Sequence, residues 1–311
     1  VNAVFIYNHN PVIVHPNQNL MKQALARTDL FTVGIDIVMT DSMKYADIVL
    51  PACSHFEHDD IFASYGQQYL QRAEAVIRPV GESLPNTEIF RRLASAFDFH
   101  DACFKSSDQE LMNDALDAED QRMQGYEPCR LPTDLALKMT ATSSSGNADN
   151  TEEPILFDNI FPDTPSGKVE LYSESLKREY NLPLPRYLPI EADFPLQLIS
   201  PSSDKRITST FGSVKDCDIS PVLEMHPSDA IARNLSTDMM VKVANNLGEV
   251  FLPLKVTGAV RQGCVYSTKG AWFKTTPNQQ TVSALASTSK ADLAEGACFN
   301  DTLVEVTQSS A

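Results

Sequence analysis

The chain has 311 residues, enough for two domains of ordinary size, and its 42% hydrophobic and 21% charged content suits a packed globular protein. A net charge of −16 argues against a nucleic-acid partner, whose phosphates demand Lys and Arg. No apolar run approaches the roughly eighteen residues that cross a bilayer, and the six cysteines contain no C-x-x-C pair to favour structural zinc or local iron–sulfur ligation.

The first residues, VNAVFIYN, lack a starting Met and a basic flank, so they are no signal peptide. They read as a strand already in progress, and the sequence is expected to be cut from something longer. HNPVIVHPN follows as a Pro- and Asn-rich loop. QNLMKQALA then places Leu20, Met21, Ala24 and Leu25 on one helical face. LFTVGID is a second strand, and ADIVLP a third, short and buried, closed by Pro51 because a residue without an N–H cannot continue a ladder. NTEIFRRLASAF predicts a helix capped by Asn86 or Thr87, with Ile89, Phe90, Leu93, Ala94 and Phe97 on one stripe. Alternation of this kind over residues 1–100 indicates a parallel sheet with helices on its faces.

Residues 101–190 form a different, connecting segment. Residues 101–130 hold eight acids against Lys105, Arg122 and Arg130, most simply a solvated face; an acidic docking surface is the sharper reading. TATSSSGNADNTEEP is an exposed loop, and NLPLPRYLPIEADFP a Pro-rich connector. From residue 191 to 311 short strands dominate: LQLIS, MVKVAN, GEVFLPLKVTG, GCVYSTKG and TLVEV. NNLGEV is a tight hairpin signal, and HPSDAIARN a short helix with Asn234 suited to a left-handed end. This is a compact β-barrel or sandwich.

The chemistry is sparse on residues alone. There is no Ser–His–Asp spacing, P-loop or G-x-G-x-x-G. HFEHD (residues 55–59) has metal-ligating side chains but no regular spacing, which favours a solvated loop. SSDKRITST (202–210) offers Arg206 and several hydroxyls to a phosphate or polar heterocycle, and an ordinary polar turn fits them equally well. Polar side chains just beyond the carboxyl ends of strands are where open α/β sheets bind ligands.

Four blocks in order carry a resemblance to the molybdopterin oxidoreductases of the dimethyl-sulfoxide-reductase class. YNHNP resembles the family's Gly-x-Asn-Pro loop, and DIVMTDSMKYADIVLPACSHFE its D-x-x-x-T-x-T-A-x-x-A-D-x-x-L-P-x-x-x-x-x-E block. TPSGKVELYSE (164–174) is close to its T-x-S-G-K-x-E-L-Y-S signature. The segment from LISPSSDKRITSTFG to FNDTLVEV resembles its pterin-dinucleotide-binding domain. The resemblance implies an α/β plus β fold: a partial parallel α/β sheet domain over 1–100, the connecting segment 101–190, and a double-psi β-barrel over 191–311. It implies Mo-bis-molybdopterin guanine dinucleotide as cofactor and two-electron redox chemistry, often oxygen-atom transfer.

By match, Asp36 meets the nucleotide end with Ile35 beside it, Asn8 and Asn10 belong to the first loop, and His58 and Asn86 stand at further contact positions. In the barrel, Ser200, Ser202, Arg206, Ile207, Thr208 and Ser209 fall in a loop that wraps a pterin. Ser283 occupies a usual Asn position, and Asn300 a pterin-contacting site. Asn8 stands where the family has Gly, and such a residue enters φ > 0 only at some cost. The segment that ligates molybdenum and the cysteine cluster for an iron–sulfur centre are absent from these residues. The expected partners are therefore the N-terminal portion of the same enzyme and electron-transfer subunits. Cys53, after ADIVLP, is expected to be a structural thiol. A non-catalytic scaffold of the same fold is the rival reading, and both cytoplasmic and periplasmic placement stay open.

Overall fold

A computed structural model of the chain describes residues 1–63, 65–116, 120–139, 155, 157–158, 161–190, 193–214 and 220–309. The first strand, β1 (Ala3–Tyr7), is followed not by an irregular loop but by a one-turn helix, α1 (Pro11–Val14). Pro11 sits at its first position, where a fixed φ helps and the missing N–H costs nothing. Asn17 caps α2 (Gln18–Leu25), its side chain accepting from Leu20 N. Of the expected face of α2, Leu25 is buried and Met21 packs against the core. Leu20 is 52% exposed, whereas Gln18 is fully buried because its amide is fully bonded. β2 (Phe31–Asp36) runs parallel to β1 in the register Ala3↔Phe31 to Tyr7↔Ile35. β3 (Ile48–Pro51) completes the order β1-β2-β3. It is an edge strand, and Ile48 is largely exposed rather than buried. Ile6, Val12, Ile13, Leu25, Leu30 and Met43 form the core of this layer, joined by Phe273.

The next segment carries an antiparallel sheet, β4 (Asp60–Ala63), β5 (Tyr69–Ala73) and, later, β6 (Leu137–Lys138). Between them lie α3 (Asn86–Ala96) and α4 (Asp108–Asp114). Pro85 is the cap of α3, which makes Asn86 its first helical residue, and Phe97 lies past its end, exposed. The acids of α4 serve the helix itself. Ser107 and Glu110 form a capping box, and Asp108 and Glu110 face the positive end of the helix dipole. TATSSSGNADNTEEP lies outside the described residues. In the signature loop, Thr164 Oγ1 donates to Lys168 O and Ser166 Oγ to Glu170 Oε1, and Ser173 caps α5 (Glu174–Tyr180).

The C-terminal strands close into a barrel: β7 (Leu196–Ile199), β8 (Leu223–Met225), β9 (Met240–Asn245), β10 (Gly248–Val256), β11 (Cys264–Tyr266) and β12 (Thr302–Gln308). Their order is β10-β8-β11-β7-β12-β9, with parallel pairs β10–β8 and β11–β7 among antiparallel ones. The expected hairpin joins β9 to β10, Asn245 facing Gly248. The expected helix is α6 (Pro227–Ala232), placed between β8 and β9, and Asn234 beyond it is left-handed. Leu196, Leu198, Val241, Val243, Val250, Leu252, Val265, Val304 and Val306 alternate inward and fill the barrel.

Two compact units result: Val1–Leu50 with Tyr187–Ala311, and Pro51–Arg186. Among the described residues no helix is long and apolar enough to cross a membrane.

Candidate functional site

In the unit that contains the barrel, the polar residues after β1 and β2 meet. Asn8 adopts φ 51°, and its N–H donates to Ile35 O at 3.0 Å. Asn is among the few residues other than Gly that enter this region routinely, so the glycine's backbone path is kept without its strain. Asn10 is buried, and its Oδ1 accepts from both Ser42 N (3.2 Å) and Ser42 Oγ (2.7 Å). Ser42 Oγ in turn accepts from Val12 N. Asn10 Nδ2 is buried and finds no hydrogen-bond partner among the described residues. A buried donor without a partner is costly, and such groups usually mark a function or a bound species. Asp36 is half-buried at the end of β2. Burial raises its carboxyl above the ordinary aspartate range, partly offset by the N–H groups of Ile37 and Val38. The Ile35 side chain is wholly buried and packs the core.

At the end of β7 the barrel brings a second group together. Ser200 N donates to Asn300 Oδ1 at 3.1 Å, and Gln197 Nε2 donates to Asn300 O. Ser267 Oγ is buried beside them without a partner among the described residues, its N–H spent on Ile199 O. Along the next loop Ser202 and Ile207 are exposed, whereas Arg206 and Ser209 are buried. Thr208 is left-handed at φ 48°. The loop lies hard against the 270–272 segment. A Cβ on Gly270, at φ +85°, would stand 1.8 Å from Thr208 O, and one on Gly212 would stand 2.0 Å from Trp272 Nε1. Trp272 Nε1 donates to Ser209 O at 2.8 Å. Ser283 does not face this loop with a free proton, because its buried hydroxyl donates to Ile13 O at 2.8 Å.

One residue with no mark in the sequence joins the two groups. Asp41, 1% exposed, accepts from Phe273 N through Oδ2 (2.9 Å) and from Lys44 Nζ through Oδ1 (2.6 Å). Nothing in TDS distinguishes it from a surface turn acid.

In the other unit, His58 and Asn86 line one cavity of about 240 Å³ with Asp60, Thr87 and Asp108. Burial raises the Asp108 carboxyl, but bonds from Thr87 and Arg91 outweigh this and leave it below the usual range. Glu57 of HFEHD is committed to the backbone. It accepts from Ser54 Oγ, Ser54 N, Val80 N and Ser83 Oγ, which holds its carboxyl down at about 2. Cys53 is buried, 3.8 Å from Ser83 Oγ, and burial pushes its thiol up.

The family sequence model described as Molybdopterin oxidoreductase matches residues 1–96, and that described as Molydopterin dinucleotide binding domain matches residues 196–303. A probable oxidoreductase, YoaE, from Bacillus subtilis (strain 168) is 36% identical over 98% of this chain and 44% of its own length. The dimethyl sulfoxide/trimethylamine N-oxide reductase of Rhodobacter capsulatus is 27% identical over 96% of this chain and 40% of its own length. The chain thus spans less than half the length of these curated relatives. The solved structure of acetylene hydratase from Pelobacter acetylenicus shares the fold, with a TM-score of 0.75 at 21% identity over 99% of this chain and 44% of that one.

Proposed function

Because the chain belongs to the molybdopterin oxidoreductase family, we propose that it is the cofactor-gripping part of an oxidoreductase using molybdenum on two molybdopterin guanine dinucleotides. One observation carries this reading: beyond β1 and β2 stand a buried amide with unspent protons, Asn10, and a half-buried carboxylate, Asp36. The donor set suits the group. Guanine presents N1–H and N2–H₂ side by side, and a carboxylate offers two acceptors to match. Pterin and phosphate oxygens accept from an amide such as Asn10 Nδ2. Ser200, Ser202, Thr208, Ser209 and the buried Ser267 hydroxyl supply a second polar rim at the barrel, with Asn300 fixing Ser200.

When bound, the cofactor supplies two-electron redox chemistry at molybdenum, often with oxygen-atom transfer. This chain's residues bind and orient it. Asp36 fixes the base, Asn10 and Ser42 hold the first loop in shape, and the Ser200–Ser209 segment addresses the pterin. We place the metal's protein ligand, and any iron–sulfur cluster, in the additional length that the relatives carry, with electron-transfer subunits as further partners. Ser283, whose proton is spent on Ile13, favours a second reading, a non-catalytic scaffold of the same fold.

Asp36→Ala in the holoenzyme tests the first reading. Loss of a charge-assisted hydrogen-bonding partner, about 1.5–3 kcal/mol, should lower guanine nucleotide and molybdenum content together. Unchanged content overturns the role given to Asp36, and an enzyme devoid of molybdenum and pterin favours the scaffold.

A further inference from the structure

We infer that Asp41 is a positioning residue that couples the Asn10–Ser42 loop of the sheet to the Arg206–Ser209 loop of the barrel. The connection is continuous and lies within one compact unit. Ser42 is bonded twice to Asn10, and its chain neighbour Asp41 accepts from Phe273 N. Trp272 precedes Phe273 and donates to Ser209 O. Every side chain on this path is buried: Asn10 5%, Asp41 1%, Ser42 0%, Trp272 7% and Phe273 7% exposed.

Three features make the path stiff. Asp41 is paired with Lys44 Nζ at 2.6 Å, and a carboxylate's bond to the Phe273 amide is of the stronger class. Lys44, paired with Asp41, lies 5.9 Å from the Phe273 ring centroid, and Lys22 lies 4.5 Å from it, which pins the ring by cation–π attraction. The glycines at 212 and 270 let the 208–212 backbone press on Trp272 and its neighbours with no room for a side chain. A loop that loses the Phe273 anchor therefore loosens the contact at Ser209 as well, because a packed junction has few intermediate arrangements. The two loops then form one preorganised cradle, and binding at either rim stabilises the other by linkage. The occupant of that cradle rests on the cofactor reading above, whereas the coupling is a property of the chain itself.

The coupling is measured on the purified 311-residue chain without cofactor. Arg206 is 4% exposed, so trypsin cuts after it only when that loop opens. Asp41→Ala should speed this cleavage roughly five- to tenfold, the expected effect of losing one charge-assisted bond that restrains a local opening. Asp41→Asn keeps an oxygen for Phe273 N but loses the charge and the pair with Lys44, so its rate should fall between wild type and Asp41→Ala. Trp272 is the only tryptophan, so its emission should shift red and its acrylamide quenching rise in Asp41→Ala. The reverse direction uses Trp272→Phe, which keeps a ring and removes the donor to Ser209. The Ser42 amide should then exchange its hydrogen faster, and this second variant serves if Asp41→Ala does not fold. Unchanged cleavage after Arg206 in Asp41→Ala, or an unchanged Ser42 amide in Trp272→Phe, overturns the inference. A holoenzyme without pterin would remove the cofactor reading and leave the coupling standing. Lost coupling in an enzyme that keeps its pterin would do the opposite.

Discussion

Gln18 and Thr281, far apart in sequence, exchange two hydrogen bonds: Thr281 N donates to Gln18 Oε1 at 2.9 Å, and Gln18 Nε2 donates to Thr281 Oγ1 at 3.1 Å. The same Nε2 also donates to Val12 O. An amide with every polar atom satisfied is tolerated at zero exposure, and here it bonds the first helical turn to the barrel.

Gln18→Leu should therefore destabilise the chain although it adds apolar surface at a buried site. The Thr281 N–H would be stranded, at a cost of about 1–3 kcal/mol. Urea unfolding followed by the Trp272 emission reads this as a lower midpoint at similar slope. A midpoint at or above wild type would show that the amide is dispensable.

Glu57 predicts a pH dependence. Its folded carboxyl titrates at about 2 against an ordinary 4.5, because Ser54, first by its hydroxyl and then by its N–H, and next the Val80 N–H stabilise the anion. A depressed carboxylate contributes stability that is fully present above about pH 4.5 and is lost as pH falls toward about 2. The difference in thermal midpoint between wild type and Glu57→Gln should accordingly be constant near neutrality and shrink below about pH 4.5. A difference that does not change between about pH 7 and about pH 3 would count against the assigned network.

Cys53 should be inert while the chain is folded. Burial holds its thiol in the protonated form, and the thiolate is the reactive species. Iodoacetamide at neutral pH should modify the exposed Cys103 readily and reach Cys53 only after denaturation. Rapid alkylation of Cys53 in the folded chain would mean that the strand end is open, and would revive it as a metal ligand.

Much of this was legible in the sequence where the signal is local. β1, β2, α2 and α3, the Asn245–Gly248 hairpin and the left-handed Asn234 follow from periodicity and turn chemistry. The family blocks point to Asn10, Asp36, Ser200 and Asn300; Asn10 lies beyond β1, Asp36 at the end of β2, and Ser200 N bonds Asn300 Oδ1. Short segments were missed for want of pattern. LEM, as β8, is three residues long yet closes the barrel between β10 and β11. DIFA and YLQRA carry too little alternation to announce a sheet. Helix α1 was hidden by its proline, which usually signals a break but here starts a turn. The bonds of Gln18, Asp41 and Ser283 depend on partners more than two hundred residues away, and no local rule assigns a distant partner to a polar side chain.

Residues 1–50 and 187–311 build one unit, and the whole of Pro51–Arg186 is threaded between them. On a ribosome residues 1–50 emerge long before Phe273, Thr281 and Ser283 exist to receive Asp41, Gln18 and Ile13. The intervening unit is contiguous and can close as it is made, since domains tend to fold as they are synthesised. Residues 1–50 bring most of their own core, Ile6, Val12, Ile13, Leu25, Leu30 and Met43, but must wait for Phe273 while residues 51–272 are translated. Contacts of such sequence separation fold slowly and leave apolar segments open to association. Residues 1–50 therefore need protection from association from their own synthesis until the barrel is complete.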